Sequence, residues 1–390
     1  MGKVNGRTVV VLSNIPWGFV WQRHQTIASL FAERNRTYFW EIPGLRRLRL
    51  ADAPRLARMV GERIVPKGRE TTGESIAGVK RLRPTLLPAT SALFRLLNRP
   101  LIRRYAKQFL SDSGHVDVLW CYSVSGTAVE FVKQIPHEVL VYDCTDNWLA
   151  VEGIPNDVAG NEEYIMKRAD LTIVTNEQLY EQKRDRARRV ERIPHGVLLE
   201  RFLLPARRRD RIENVRLVYY GHIYGQHLDV AMVNAIAEMC PSWSLTLVGP
   251  VKSRHRFCSN VEIAGQVAHE RLRAYLSECD VIILPYRRNA YTDFVHPAKI
   301  YECLATGLPI VSTPIKFLAG AFQQVLRFGS TPADFKAEIE AALAQDTAED
   351  RERRVRMAAA NTWRARFLSI ERLLSECLDR PQPTATFSEK

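Results

Sequence analysis

Short apolar runs recur along the chain at the spacing of strands, with helical patterns filling the gaps between them. One series runs Thr8 to Leu12, Thr37 to Glu41, Val116 to Trp120, Val139 to Tyr142 and Leu171 to Val174. A second runs Val215 to Tyr220, Ser244 to Val248, Val261 to Ala264, Val281 to Leu284 and Leu308 to Val311. Helices are predicted between them, at Arg23 to Arg34, Gly126 to Gln134, Glu162 to Arg168, Leu228 to Met239 and Glu270 to Ser277. Strands alternating with helices predict parallel, doubly wound sheets. The charged stretch Arg201 to Asn214 separates the two series and reads as a linker. The pattern therefore predicts an α/β chain of two Rossmann-like domains, 1–200 and 205–360. A further helical region over 351–380 and a frayed tail over 381–390 follow.

The segment His296 to Pro314, HPAKIYECLATGLPIVSTP, predicts a short helix with marked ends. Pro297 suits a first helical position, where its fixed φ fits and its missing N–H is no loss. Gly307 suits the left-handed residue just past the helix, and Pro309 prevents continuation. With Val281 to Leu284 before it and Leu308 to Val311 after it, the segment forms a βαβ unit. Its helix starts at the carboxyl end of a strand. Free N–H groups and the helix dipole attract phosphate there. Lys299 stands in the first turn, and Glu302 follows at i+3 on the same face. Lysine to a pyrophosphate and glutamate to ribose hydroxyls would hold a nucleotide.

Charge adds a second feature. The net charge is +13, and residues 45–109 alone carry sixteen Lys/Arg against four Asp/Glu. There, LRRLRLADAPRLARMV and LFRLLNRPLIRRYAKQFL interleave arginine with leucine at helical spacing. Such helices can dock on an anionic membrane, apolar face in and arginines toward lipid phosphates; they can equally be surface helices packed on a core. Nucleic acid is disfavoured, because no nucleic-acid-binding motif is present. No apolar run reaches the roughly 20 residues needed to span a bilayer. The first apolar run reads as a strand and not as a signal peptide. The seven cysteines are scattered without close pairs, which fits a reducing cytoplasm and argues against a zinc site.

Other candidates fall in loops. Neither domain opens with a full G-x-G-x-x-G, so a dinucleotide-dependent dehydrogenase is disfavoured. Gly18 lies after the first strand, and Gly221 with His222 after the first strand of the second domain. Glycine there lets backbone approach a ligand or simply makes a tight turn. Lys252 and Arg254 follow Val248-Gly249-Pro250 and meet either a pyrophosphate or solvent. Asp143 and Asp146 sit just beyond a strand's carboxyl end, where a carboxylate can deprotonate an acceptor hydroxyl or cap a loop. Arg23 and His24 open the first helix, to bind an anionic acceptor or to cap it. His195 beside Gly196 reads as a structural turn residue.

These residues together resemble the GT-B nucleotide-sugar glycosyltransferases (families 1 and 4), particularly bacterial enzymes of exopolysaccharide and cell-surface polysaccharide assembly. Pro297-Ala298-Lys299-Ile300-Tyr301-Glu302, continuing to Gly307-Leu308-Pro309, is similar to their donor-binding helix. Tyr219-Tyr220-Gly221, Val248-Gly249-Pro250, Leu284-Pro285-Tyr286 and Pro194-His195-Gly196-Val197 match neighbouring motifs. Trp363 with Arg366 looks like the closing helix, over 361–380, that crosses back to the first domain. The resemblance implies two Rossmann-like domains facing a cleft and no metal requirement. It implies a nucleotide-sugar donor, UDP foremost, on Gly221, His222, Lys252, Tyr286, Arg287, Pro297, Lys299 and Glu302. A lipid-linked saccharide acceptor is expected on Gly18, Arg23 and His24, and a cytoplasmic protein on the inner face of the membrane. Retaining members often carry a glutamate eight positions before the one matched by Glu302, but Phe294 stands there. Their basic pair after the second domain's first strand is replaced by His222, Gln226 and His227. The Asp146 loop looks like the base-bearing loop of inverting relatives such as the xanthan-assembly glucuronosyltransferase. Inversion with Asp146 as base is therefore expected; a retaining enzyme, a nucleotide-sugar 2-epimerase and a non-catalytic scaffold are the alternatives.

Overall fold

The computed structural model of the chain describes residues 4–19, 21–43, 78–87, 92–150, 153–206, 214–223, 227–251, 255–289 and 291–379. Lys252, Arg254, Gln226 and most of the basic segment before residue 78 lie outside them. The strands, in chain order, are β1 Thr8–Ser13, β2 Arg36–Glu41, β3 Val79–Leu82, β4 Val118–Cys121, β5 Val139–Cys144, β6 Leu171–Val174, β7 Val190–Arg192, β8 Arg216–Tyr220, β9 Ser244–Val248, β10 Val261–Gly265, β11 Val281–Leu284, β12 Ile310–Ser312 and β13 Arg327–Phe328. They form two sheets, ordered β3-β2-β1-β4-β5-β6-β7 and β10-β9-β8-β11-β12-β13. Every pairing between these strands is parallel.

The chain divides into two compact units. One is Met1–Ile193 with Phe367–Lys390, and the other is Pro194–Arg366. The inner strands are apolar on both faces because helices cover both sides of a parallel sheet. All six residues of β1 (TVVVLS) and of β5 (VLVYDC) are buried. In the first unit, Ile102 and Phe109 from the helix Ala92–Ser113 join Trp40, Phe131 and Tyr142 in the core. In the second, one core includes Val218, Ile282 and Leu304, and another includes Leu217, Ile283 and Phe335. Adjacent strand residues thus face opposite sides of the sheet.

Two departures from the sequence pattern have physical causes. The strands β3, β7 and β13 were not predicted; they stand next to or at sheet edges, where polar residues such as those of VKRL and VER are tolerated. The chain enters the second unit at Pro194, upstream of the charged 201–214 stretch. Val197 bridges Thr362, its N–H donates to the Asn361 carbonyl at 3.1 Å, and its carbonyl accepts from Trp363 N–H at 3.1 Å. A Cβ on Gly196 would lie 2.8 Å from the Trp363 nitrogen, so glycine permits this close approach. At the other boundary the chain passes back into the first unit inside the helix Trp363–Leu378.

The helix after β11 spans Ile300–Thr306. Lys299 is its N-cap, and Pro297 lies in the preceding turn, not at the first helical position expected. The Ile300 N–H donates back to the Pro297 carbonyl at 3.0 Å, so proline closes the turn that leads into the helix. Gly307 ends it at φ 74°, the left-handed conformation expected of that residue.

Candidate active site

In each sheet the strand order reverses at one place, where loops leaving two neighbouring strands diverge and a crevice opens at their carboxyl ends. In the second unit that place is between β8 and β11. Gly221 follows β8 with φ 133°, and Gly249 follows β9 with φ 145°. A Cβ on Gly249 would stand 1.8 Å from the Gly221 carbonyl oxygen. The two loops run side by side: Gly221 N–H donates to the Val248 carbonyl at 2.8 Å, and Ile223 N–H to the Pro250 carbonyl at 3.0 Å. Only glycine at both positions allows this stacking of backbone on backbone.

Lys299 projects into this place. Its Nζ donates to the Tyr220 carbonyl oxygen, the last of β8. The ammonium lies 4.0 Å from the centre of the Tyr219 ring, 5.2 Å from that of Tyr220 and 5.4 Å from that of Tyr286. Ring quadrupoles stabilise such a cation without neutralising it. Burial among these rings pushes the Lys299 ammonium down to about 8, against weaker opposing pulls from Cys303 and Glu302. A Cβ at Gly221 would come 2.7 Å from Lys299 Nζ, so the glycine loop and the lysine share one spot. One helical turn on, the half-buried Glu302 accepts from the Tyr220 hydroxyl at 3.3 Å. Of the three tyrosines, Tyr286 was expected as a donor residue, whereas Tyr219 and Tyr220 were legible only as a pair at a strand end before Gly221.

The remaining second-unit candidates ring this place unevenly. His222 accepts from the Tyr219 hydroxyl through its carbonyl at 3.1 Å, and its ring lies 5.5 Å from that of His227. Tyr286 is buried just after β11. Arg287 is exposed, with its backbone N–H donating to the His227 carbonyl at 2.9 Å. Pro297 is buried and serves the turn described above. His195 and His296 are buried, their ring centres 5.3 Å apart, and His296 packs 4.1 Å from Phe317, which fits the structural reading of His195.

In the first unit the structure separates the two aspartates. Asp143, the penultimate residue of β5, is wholly buried and bonds Arg23 Nε at 2.8 Å. Arg23 also donates to the Ile193 carbonyl at 3.0 Å. Burial pushes the Asp143 carboxyl up, and the Arg23 guanidinium pulls it back down. His24 is buried, stacked on Tyr122 with ring centres 3.7 Å apart, and its Nδ1 bonds the Ser13 hydroxyl at 2.8 Å. Burial and the neighbouring Arg23 push its imidazole down to about 3, so it is uncharged at neutral pH. Arg23 and His24, expected either to bind an anionic acceptor or to cap the helix, are here held by Asp143 and Ser13. One cation is neutralised by Asp143 and the other residue carries no charge. Their partners come from the ends of β1 (Ser13) and β5 (Asp143) and from Tyr122 just after β4, so both side chains pack beside the place where the strand order of this sheet reverses.

Asp146 lies beyond the end of β5 and is partly exposed. Burial pushes its carboxyl up, and the Thr145 hydroxyl, donating at 3.2 Å, pulls it down. The loop is pinned from below: Thr175 Oγ1 donates to the Thr145 carbonyl at 3.2 Å, and the Cys144 thiol to the Asp146 carbonyl at 3.4 Å. A carboxylate with a raised pKa, partly exposed on a hydrogen-bonded loop, has the chemistry of a general base. Gly18 sits on an exposed turn after β1 with open space where a Cβ would be.

Residues 209–346 match the family model for glycosyl transferases group 1. TuaH of Bacillus subtilis (strain 168), named as a teichuronic acid biosynthesis glycosyltransferase, is 27% identical over 260 residues, covering 59% of this chain. The match spans 65% of that relative's length, less than two thirds. Sucrose-phosphate synthase from Thermosynechococcus elongatus superposes with a TM-score of 0.67 at 17% identity, over 95% of this chain and 98% of that one. HepE of Anabaena, solved in complex with UDP, superposes with a TM-score of 0.61 at 15% identity, over 95% of this chain and 100% of that one. Over residues 209–346 the chain is thus similar to the group 1 glycosyl transferases, and its fold is the two-sheet GT-B fold of the solved glycosyltransferases that superpose on it.

Proposed function

We propose that the chain transfers a sugar from a nucleoside-diphosphate donor to a saccharide hydroxyl in the assembly of a bacterial surface polysaccharide. The observation that carries this is Lys299, an ammonium held against the Tyr219 ring at the glycine loop of the group 1 domain. A diphosphate would take the Lys299 ammonium from the Tyr220 carbonyl, with Gly221, His222, Lys252 and Arg287 adding amides and charge around it. Glu302 would hold the ribose hydroxyls, and Tyr286 would line the donor site. UDP is the nucleotide favoured, since HepE is solved with it. The similarity to TuaH, named for teichuronic acid biosynthesis, favours a surface-polysaccharide acceptor; the proposal takes that acceptor to be lipid-linked at the cytoplasmic face of the membrane.

Asp146 is the proposed base. The acceptor hydroxyl attacks the anomeric carbon and gives its proton to Asp146, while the bond to the diphosphate oxygen breaks. The nucleoside diphosphate leaves with the bonding pair, its charge met by Lys299 and neighbouring cations, with no metal required. One displacement inverts the anomeric configuration.

Product analysis tests this. A glycoside of inverted configuration is expected from UDP-sugar plus lipid-linked acceptor, and unchanged donor without acceptor. Retained configuration would remove Asp146 from its role. Conversion of donor alone would make the protein an epimerase, and no nucleotide binding at all would make it a scaffold.

A further inference from the structure

The helix Ala92–Ser113 carries apolar residues on two sides, and only one of them is in the core. Asn98, Ile102, Ala106, Phe109 and Ser113 are buried, at the three- and four-residue spacing of an inward stripe. The leucines of its first half are not on that stripe. Leu93 is 61% exposed, Leu96 57%, Leu97 49% and Leu101 40%. At positions i, i+3, i+4 and i+8 they form one outward row about 12 Å long. A solvated helix face is polar, so this row is the opposite of what water selects.

The second half of the same outward side is basic. Arg103, Arg104 and Lys107 are exposed, and among the described residues none has a carboxylate partner. The contrast with two arginines flanking the leucines is direct: Arg95 pairs with Asp157 at 2.8 Å, and Arg99 lies 3.4 Å from Glu130. Pro100 adds a further exposed apolar residue to the row. An outward leucine row continuing into unpaired cations matches an interfacial helix, which sinks its apolar side chains among acyl chains and sets its cations against phosphates.

We propose that the outward side of helix Ala92–Ser113 is a docking surface for an anionic lipid bilayer, with Leu93, Leu96, Leu97 and Leu101 inserting and Arg103, Arg104 and Lys107 contacting lipid phosphates. It rests on the reading above only in that a lipid-linked acceptor would give such docking a use. It goes beyond the sequence pattern, which leaves open whether the leucines or the arginines face the core.

The test is flotation of the full chain with vesicles of phosphatidylcholine and phosphatidylglycerol, beside vesicles of phosphatidylcholine alone. Wild type is expected to float with the anionic vesicles and to bind the neutral ones far less. Leu96→Glu with Leu97→Glu should weaken anionic-vesicle binding by about tenfold or more, since each buried leucine adds substantially to transfer. Arg103→Glu with Arg104→Glu should weaken it by about tenfold or more and reduce its salt dependence. All four side chains are exposed, so unchanged thermal midpoints and UDP-sugar affinity should accompany both changes. Wild type that ignores anionic vesicles, or variants that bind them as well as wild type, overturns the proposal and leaves glycosyl transfer standing. A dimer in solution that the leucine variant dissociates assigns the face to a second copy and also overturns it. Vesicle binding as expected in a protein that binds no nucleotide-sugar overturns the glycosyltransferase reading and upholds the docking surface.

Discussion

Shifting the pH from 7 to 9 should weaken donor binding by about tenfold, and Lys299 is the reason. Its ammonium is pushed down to about 8 by burial among tyrosine rings. A diphosphate needs that ammonium charged, and its two negative charges raise the lysine's pKa in the complex. With a free-state value of about 8, the lysine is about 90% charged at pH 7 and about 9% charged at pH 9. The ratio of these populations sets the loss of apparent affinity, about tenfold or 1.4 kcal/mol. Binding at pH 9 should therefore take up close to one proton, and binding at pH 7 about a tenth of one. Calorimetric titration with a UDP-sugar, in buffers of different ionisation enthalpy, measures both quantities. The Lys299→Met variant should bind about 10- to 100-fold more weakly at pH 7, the scale of a charge-assisted hydrogen bond. It should lose the lysine's share of the pH dependence, which separates that share from titration of the nucleotide base. Wild-type affinity that is flat from pH 7 to 9, with no proton uptake, would remove the Lys299 ammonium from the donor site.

Asp146→Asn should lower turnover by about 100-fold or more, the scale of a lost general base, while donor affinity in calorimetry stays near wild type. Gly249→Ala should cost about 1–3 kcal/mol in denaturant unfolding, since its φ of 145° and the 1.8 Å approach to Gly221 exclude a side chain. The same change should abolish donor binding by parting the two loops. Arg23→Met should destabilise the first unit by about 3–5 kcal/mol by leaving the Asp143 carboxylate buried without its partner. Arg23→Met with Asp143→Leu should recover much of that loss. The stability conferred by Lys299 should itself depend on pH. Its folded value lies below the ordinary 10.5, so its charged form opposes folding below about pH 8, and the opposition fades as pH rises from 8 toward 10.5.

The inner strands were legible because a strand covered on both faces needs a continuous apolar run, as in Val9–Leu12 of β1 and all of β11. Edge strands escaped for the same reason, since β3 and β7 need no such run. The start of β12 was set two residues early, because Leu308 and Pro309 continue the apolar run but belong to the turn after Gly307. Lys299 and Glu302 were legible as a pair on one short helix, whereas the rings around Lys299 come from residues about eighty positions earlier and thirteen earlier. The two aspartates look alike in sequence. What separates them is Arg23, 120 residues away, which bonds Asp143 and leaves Asp146 outside. Spacing showed that leucine and arginine alternate along Ala92–Ser113 but not which residues the sheet would cover.

A thermal-shift panel of UDP-, GDP-, ADP- and dTDP-sugars on the intact chain shows whether a nucleoside-diphosphate sugar is held at Lys299 and the Gly221 loop. At about 100 times its dissociation constant a bound donor adds about 2.7 kcal/mol, or roughly 5–10 °C in the midpoint of the unit that binds it. A shift of that size is expected with a UDP-sugar, and its loss in Lys299→Met; midpoints unmoved by every member of the panel would mean that no such donor is held there.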